Sequence, residues 1–345
     1  RVMELSRRRR LVLKNIVEHY VDHATPVPSS VVAQKVYPRV SPATVRNDMA
    51  TLERQGFIFH PHTSAGSIPS DLGYRYYVEY LMEGPGLSPA EERTIRHQFH
   101  QVPLDVEAWV HLSTAVMANL VRSAAMVTPP APRSARLRRI ELVGVGAHMV
   151  LLVALLTSGG FRQQVVRAPE PFDRDGLVKL SNKLSDKLGG KSATQLVAAA
   201  ASFVGWEREV VHTAARLLRE ADKYRVEDIY YEGLRHIVAQ PEFSQSAKLR
   251  PVLEALEHRA VLVPLLADAL ESGQVRIVIG SEHATEEMRG CSVVLSGYGL
   301  GGELQGVLGV IGPTRLPYWR AVPLVRFMAG LLSLLLETAY AKSPS

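Results

Sequence analysis

The chain has a single cysteine and none of the familiar catalytic signatures. Cys291 has no partner for an internal disulfide and cannot complete a cysteine-rich zinc site, so we expect a buried structural thiol in a reducing compartment. A nucleophile elbow, a phosphate-binding P-loop and an HExxH metal motif are all missing, and the twelve histidines are scattered. The sequence therefore predicts a protein that is not an enzyme and holds no metal or other cofactor.

Long apolar segments are also scarce. The N-terminal RVMELSRRRR leads into a mixed polar helix, which is not the pattern of a secretory signal. The most apolar stretch, residues 327–336, lies between Arg326 and Glu337 and is too short for a bilayer. We expect no membrane partner and a cytoplasmic location.

Length and charge predict a globular protein with an acidic partner. The 345 residues, 46% of them hydrophobic, are enough for two or three domains. The net charge is +6 and the pI is near 9.4. Residues 1–80 hold eleven Lys or Arg against seven Asp or Glu, a surplus of four, so most of the excess positive charge lies in this part.

Residues 41–55, SPATVRNDMATLERQ, have the pattern of a helix that enters a DNA groove. Ser41 is a good N-cap, Pro42 suits the first helical position, and Gly56 follows the end. Apolar residues form one narrow stripe, and the opposite face carries small and hydrogen-bonding residues. Base-edge contacts are predicted from Thr44, Arg46, Asn47 and Arg54. From this segment alone, a solvated helix with no partner is an equally good interpretation.

The neighbouring segments complete a helix-turn-helix pattern followed by a wing. A helix over residues 6–22, behind four arginines, and a short helix from Ser29 precede residue 41. After Gly56 the pattern is strand, exposed turn, strand and helix. Contacts with the DNA backbone are predicted from Arg8, Arg9, Ser41, His62 and Thr63. For the arginine run, a solvated charge cluster fits equally well.

Histidines and tyrosines near the predicted wing have structural interpretations. His60 and His62 have no cysteine or carboxylate cluster nearby, which favours polar contacts over metal binding. The helix after the wing is expected to bury its aromatic residues in the core: Tyr74, Tyr76, Tyr77 and Tyr80.

Residues 2–82, above all VSPATVRNDMATLERQGFI and HPHTSAGSIPSDLGYRYYV, resemble the winged-helix domain of the HrcA family of bacterial heat-inducible transcription repressors. Two later stretches, QPEFSQSAKLRPVLEALE and VRIVIGSEHATEEMRGCSVVLSGYGLGGELQGVLGVIGPTRLPYWRAVPLV, resemble that family's GAF-like domain. Where the family commonly has an arginine in the wing, this chain has Ser67. Arg75 and the N-terminal arginines are the candidates to replace that contact.

The resemblance also implies a function and its partners. It implies a homodimer that binds double-stranded DNA at the CIRCE inverted repeat upstream of chaperone operons (groE, dnaK). The GroEL chaperonin is implied to maintain the repressor, whose activity is lost on heat stress. A winged-helix regulator controlled by a small metabolite in the GAF-like domain is the alternative, because such folds often enclose a pocket, although no convergent polar set is visible.

The predicted fold class is multidomain α+β, with a winged helix-turn-helix, a GAF-like sheet domain and an inserted, mainly helical dimerisation domain. The predicted boundaries are 1–84 for the DNA-binding domain, 85–132 for a helical connector, 133–171 and 229–345 for the GAF-like domain, and 172–228 for the insert. In the connector, helices are expected over 87–98 and 105–125.

One helical stripe in the insert suits a contact between chains: Val210, Ala214, Leu217 and Leu218. A helical layer within one domain fits the same pattern, and the resemblance favours dimerisation. The glycines of GYGLGG, residues 297–302, precede a strand, so they predict a hairpin turn in preference to a nucleotide site.

Overall fold

Two compact units of mixed helix and strand make up the computed structural model, which describes residues 5–36, 41–61, 66–84, 86–132, 134–157, 160–223, 229–244, 246–257, 259–300 and 304–341. The first unit comprises Arg1–Pro130, Ile229–Leu300 and Gln305–Ser345. The second comprises Ala131–Asp228 and Gly301–Leu304. The α+β class predicted from the sequence is confirmed.

Three helices and a two-stranded ribbon begin the first unit. The helices are α1 (Arg7–His23), α2 (Ser29–Val36) and α3 (Pro42–Arg54). They are followed by antiparallel strands β1 (Ile58–Phe59) and β2 (Ile68–Pro69) and by α4 (Asp71–Tyr76), which continues as a π-helical turn to Leu81. Their shared core is formed by branched and sulfur-containing side chains, among them Val12, Leu13, Ile16, Val45, Met49 and Leu52.

An antiparallel sheet with helices forms the rest of the first unit. Its strands follow the order β8 (Tyr230–Glu232), β3 (Ala124–Val127), β11 (Leu304–Pro313), β10 (Cys291–Leu300) and β9 (Arg276–Ile279). The helices are α5 (Pro89–Gln101), α6 (Val106–Val121), α10 (Leu234–Val238), α11 (Ser246–Glu257), α12 (Arg259–Ser272) and α13 (Tyr318–Ala341). The described pairings, of β3 with β8 and β11 and of β9 with β10, are antiparallel.

Strand β3 corrects the connector predicted from the sequence. Residues 105–125 are predicted as one helix, but α6 ends where Arg122 adopts a left-handed φ of 54°. The next residues, Ala124–Val127, are all fully buried and pair with both β8 and β11. A short apolar run has no periodicity that distinguishes a strand from a buried helix, so only the tertiary pairing reveals this strand.

Helix α13 is longer than the apolar stretch identified in the sequence. Tyr318–Tyr340 is 23 residues long and contains an 18-residue window with a mean hydropathy of 1.6, which by length and composition is enough to cross a membrane, and half of that window is buried. The length inferred from residues 327–336 is therefore wrong. The buried side of the helix packs on β10 through side chains in the core of the unit, including Leu324, Val325, Met328 and Leu332. This packing accounts for the apolar composition as that of a core helix.

The second unit is a three-stranded antiparallel sheet with helices on one face. The strands follow the order β5 (Leu137–Gly144), β6 (Met149–Leu156) and β7 (Phe161–Arg167). The short β4 (Ala131–Pro132) comes before them in the chain and is not a strand of this sheet. The helices are α7 (Arg174–Leu188), α8 (Ala193–Ala199) and α9 (Gly205–Lys223). Along β6, alternate side chains are buried against the helices: Val150, Leu152, Ala154 and Leu156.

The grouping of these elements differs from the predicted one. Strands β5, β6 and β7 were expected in the sheet of residues 229–345, whereas they form a compact unit with α7, α8 and α9. The helical stripe predicted to contact a partner chain is at most 4% exposed and lies in this unit's own core: Val210, Ala214, Leu217 and Leu218. That prediction is wrong, because amphipathic spacing shows that a face is buried but not what buries it.

Substitution of glycine by alanine is expected to have opposite effects on the free energy of unfolding at two positions, Gly73 and Gly330. A Cβ atom at Gly73 would lie 2.1 Å from the carbonyl oxygen of Phe57, so Gly73→Ala is expected to lower the free energy of unfolding by about 1–3 kcal/mol. Gly330 in α13 has none of the described residues within 4 Å of such an atom outside its own helical turn. Gly330→Ala should raise that free energy by about 0.5–1 kcal/mol, because alanine favours the helix. Denaturant titration measures both, and losses of equal size would contradict this prediction.

Candidate nucleic-acid interface

Helix α3 presents a polar face to solvent. The Ser41 hydroxyl caps the helix by accepting a hydrogen bond from the Thr44 backbone N–H at 3.3 Å, and it lies 3.2 Å from the Thr44 hydroxyl. Val45, Met49 and Leu52 are at most 3% exposed and orient the helix, as the apolar stripe in the sequence predicts. Because this stripe is buried, the opposite face is available to a groove.

The four side chains predicted to contact base edges are not equivalent. Arg46 and Asn47 are exposed and form no side-chain hydrogen bond or ion pair with the part of the chain that the structure describes. Arg54 lies along the helix, with Nη2 donating to the Thr51 hydroxyl at 3.1 Å. The Thr44 hydroxyl is held at the first turn by Ser41. Arg46 and Asn47 therefore have the greatest freedom to hydrogen-bond bases.

A buried carboxylate connects the arginine run to α3. Asp48 is 2% exposed, and it accepts two hydrogen bonds from Arg8, from Nε at 2.6 Å and from Nη2 at 3.0 Å. Arg9 Nε lies 3.6 Å from the same carboxylate. Half of the Arg8 side chain remains exposed, which leaves room for a phosphate contact. The sequence analysis did not predict a role for Asp48. The signal that could have revealed it is an acidic residue next to the apolar stripe of a helix that follows a run of arginines.

The base of the ribbon is held by side chains, while its turn is not described. His62 and Thr63 lie outside the described residues, so their contacts stay a prediction. His60 Nδ1 lies 2.7 Å from Glu53 Oε1, and His60 Nε2 lies 3.1 Å from the Ser67 hydroxyl. Ser67 is fully buried. Within the described ranges, no group of three or more His, Cys, Asp or Glu could hold a metal ion.

Helix α4 joins this region to the sheet of the first unit. Asp71 Oδ2 accepts the Ser281 backbone N–H at 2.7 Å, and Arg75 Nε donates to Glu282 Oε1 at 2.7 Å. Burial alone would raise the pKa of the Glu282 carboxyl, but hydrogen bonds from Arg75 and the Ile279 N–H outweigh it and lower that pKa. The Arg75 guanidinium thus holds α4 to this sheet, and its replacement of the wing arginine stays a prediction.

The tyrosines of this region are mostly core residues, as predicted. Tyr74, Tyr76 and Tyr77 are at most 6% exposed, and burial raises the pKa of the Tyr74 hydroxyl well above its usual value. Tyr77 donates to Glu18 of α1 at 3.2 Å, which helps to hold α1 in place. Tyr80 is 49% exposed, so the prediction of core packing is wrong for that residue.

Comparison with known proteins identifies the family. Residues 107–322 match the family described as HrcA protein C terminal domain. The heat-inducible transcription repressor HrcA of Herpetosiphon aurantiacus is 39% identical over 99% of this chain and 98% of its own length. The chain belongs to the HrcA family of heat-inducible transcription repressors. The resemblance seen in the sequence is thereby confirmed, together with the role in transcription repression and the heat-inducible stress response.

Other similarities agree with membership of the HrcA family. The HrcA repressor of Chloroflexus aggregans is 40% identical over 97% of this chain and 94% of its own length. A solved structure titled as a hypothetical protein at 2.2 Å resolution has a TM-score of 0.62 and 22% identity, and covers 97% of this chain and 100% of that one. At this identity the likeness shows a shared fold and nothing about ligands.

The single cysteine is expected to report on the integrity of the first unit's sheet. Cys291 in β10 is fully buried, as predicted, and burial raises the pKa of its thiol to about 12. Because the thiolate is the reactive form, we expect very slow exchange with the aromatic disulfide dithiobis(nitrobenzoate) in the folded protein and fast exchange, with release of nitrothiobenzoate, once β10 is exposed. Absorbance of the released thiolate during a temperature series measures this. Stoichiometric labelling within seconds at low temperature would contradict it.

Proposed function

We propose that the protein is a homodimeric repressor that binds an inverted-repeat operator of chaperone operons, the CIRCE element, in the bacterial cytoplasm. The observation that carries this proposal is the exposed face of α3, where Arg46 and Asn47 are available beside the ribbon of β1 and β2. Three helices and a ribbon in this order constitute a winged helix-turn-helix, whose third helix enters the major groove. The GAF-like domain corresponds, in this proposal, to the sheet of the first unit together with α11, α12 and α13.

The contacts divide into two kinds. Base edges are contacted by Thr44, Arg46, Asn47 and Arg54. The DNA backbone is contacted by Arg8, Arg9, Ser41, His62 and Thr63, which position the protein without specifying sequence. Arg8 supports this division, because half of its side chain is exposed and can meet a phosphate while its guanidinium binds Asp48.

The uncovered face of the second unit's sheet supports a homodimer. Side chains of β6 on this face are apolar, and central Leu151 lies opposite Val143 of β5 and Val165 of β7. Four residues of this face are 46–54% exposed: Val143, Met149, Phe161 and Val165. An apolar face of this kind marks a protein contact, and a two-fold dimer matches a two-fold operator. The proposed dimer surface is therefore the sheet face and not α9.

Heat control follows if the folded repressor is only marginally stable. Unfolded client proteins draw the GroEL chaperonin away at high temperature, the unassisted repressor loses its folded state, and transcription rises. Chaperonin is then a partner that restores the binding-competent protein.

Fluorescence anisotropy tests the proposal with three DNAs: the full inverted repeat, one isolated half-site and a scrambled sequence. Each is titrated at two salt concentrations, before and after a heat pulse, with and without chaperonin. We expect tight binding to the full repeat only, and recovery after heat only with chaperonin. Weak binding to all three with one steep salt dependence would overturn sequence-specific repression, because that behaviour is phosphate binding alone. Recovery without chaperonin would overturn the heat mechanism.

A metabolite-controlled regulator is the second candidate, supported by one groove. The groove has a volume of about 430 Å³ between α5 and α6, and its mainly apolar wall includes the polar side chains of Thr94, Gln98 and Asn119. It is formed by residues of the predicted connector and not by those of the predicted GAF-like domain, although α6 packs on strand β3 of the sheet. Thermal-shift screening distinguishes the candidates, because a ligand of the folded state raises the melting temperature.

A further inference from the structure

Three side chains link α3 to both strands of the ribbon. Glu53 lies in the last turn of α3, His60 directly follows β1, and Ser67 directly precedes β2. The distances are 2.7 Å from Glu53 Oε1 to His60 Nδ1 and 3.1 Å from His60 Nε2 to the Ser67 hydroxyl. The carboxylate can only accept, so Nδ1 of the histidine carries a proton, and in the Nδ1–H tautomer Nε2 accepts from the serine hydroxyl.

The backbone of the ribbon is weakly paired by itself. Its strands have two residues each, with the pairs Ile58 with Pro69 and Phe59 with Ile68. Pro69 has no N–H to donate to the ladder. Ser67, at the end of this chain of side-chain hydrogen bonds, is fixed by its backbone. It exchanges two backbone hydrogen bonds with Val27, at 2.8 and 3.0 Å.

We propose that His60 is a positioning residue for DNA binding. Held as the Nδ1–H tautomer by Glu53, it fixes the buried Ser67, and with it the base of the wing, relative to α3. The recognition helix and the wing then reach the DNA at one fixed spacing. This inference rests on the proposed function, in which α3 and the ribbon bind one operator half-site.

The contact between Glu53 and His60 is expected to affect the position of the wing but not the stability of the fold. The side chains of Glu53 and His60 are 40% and 33% exposed. Side-chain hydrogen bonds this exposed contribute little to the free energy of unfolding, so their loss leaves the fold intact. A shift of the wing, in contrast, alters the geometry of every contact that the wing makes with DNA, because binding side chains depend on the residues packed around them for their position.

The tautomer is tested without DNA, by long-range proton–nitrogen NMR on the full chain labelled with ¹⁵N-histidine. The His60 signal is assigned by its absence in His60→Gln. We expect the Nδ1–H tautomer in the wild type and in Glu53→Gln, whose side-chain oxygen still accepts, and a shift towards Nε2–H in Glu53→Ala. An Nε2–H tautomer in the wild type would overturn the inference, whatever the DNA-binding result.

DNA binding is tested with the same matched pair, since Glu53→Gln and Glu53→Ala remove the same charge. We expect Glu53→Ala and Ser67→Ala to bind the operator about fivefold more weakly than Glu53→Gln, and the melting temperature of Glu53→Ala to equal that of Glu53→Gln. Equal operator affinity of Glu53→Gln and Glu53→Ala would overturn the positioning role. If the wild type itself does not prefer the operator over scrambled DNA, the proposed function fails and the positioning role fails with it, while the tautomer still reports whether the hydrogen-bond chain exists.

Discussion

Val165→Glu is expected to separate the two protomers and to abolish tight operator binding. Val165 is 46% exposed on β7. It pairs with Leu151 of the middle strand, which lies at the centre of the proposed dimer surface. Two-fold symmetry places two copies of the new carboxylate in or near one apolar contact, and like charges there cost several kcal/mol. A monomer has one recognition helix, so the operator affinity should fall by about 100-fold or more through the loss of bivalent binding.

Val178→Glu is the matched control. Val178 is 49% exposed on α7, away from the sheet's uncovered face, so the same substitution leaves dimerisation unchanged. Sedimentation analysis over a concentration series measures association, and anisotropy on the full repeat and the half-site measures binding. Should Val165→Glu remain as dimeric as Val178→Glu, the sheet face is not the dimer contact.

Arg46→Ala combined with Asn47→Ala is expected to remove most of the sequence specificity. Each side chain is exposed, and a good base-edge contact contributes about 1–3 kcal/mol of discrimination, so the double variant should lose roughly 30-fold or more in operator affinity. Asn47 carries no charge, so its single variant should relax specificity at one position with an unchanged salt slope. Anisotropy against single-base operator variants measures both effects.

Arg9→Gln serves as the comparison for a phosphate contact. Asp48 keeps its two hydrogen bonds from Arg8, so the fold is retained. Removal of one phosphate contact should weaken binding to all sequences alike and reduce the salt slope by about 1. Equal losses on operator and scrambled DNA for Asn47→Ala and Arg9→Gln would contradict the division into base-edge and backbone contacts.

Local signals in the sequence located helix α3 well. Ser41, Pro42 and Gly56 predict a helix within 41–55, and the structure has α3 over Pro42–Arg54 with Gly56 at a φ of 80°. Capping depends on neighbouring residues alone, so it is visible in the sequence. The buried stripe of α3 follows for the same reason, since its spacing is that of one helix face.

Contacts between distant residues were not visible in the same way. Ala124–Val127 needs strands more than 100 residues away to become β3, and Asp48 is a buried partner only once Arg8 lies beside it. The hydrogen-bond chain through His60 likewise joins residues that no local pattern relates. Side-chain pairing and burial depend on which surfaces come together in the folded protein, and the order of residues along the chain does not show which surfaces these are.

The sequence by itself determined the family, the capped helix α3 and the buried thiol, because each depends on motifs, caps or residue type. Tertiary structure alone decided which apolar face stays uncovered. The stripe of α9 and the outer face of β6 are both apolar, and nothing in their periodicity ranks them. Packing of α7 and α9 against one side of the sheet buries the first and leaves the second partly exposed to solvent.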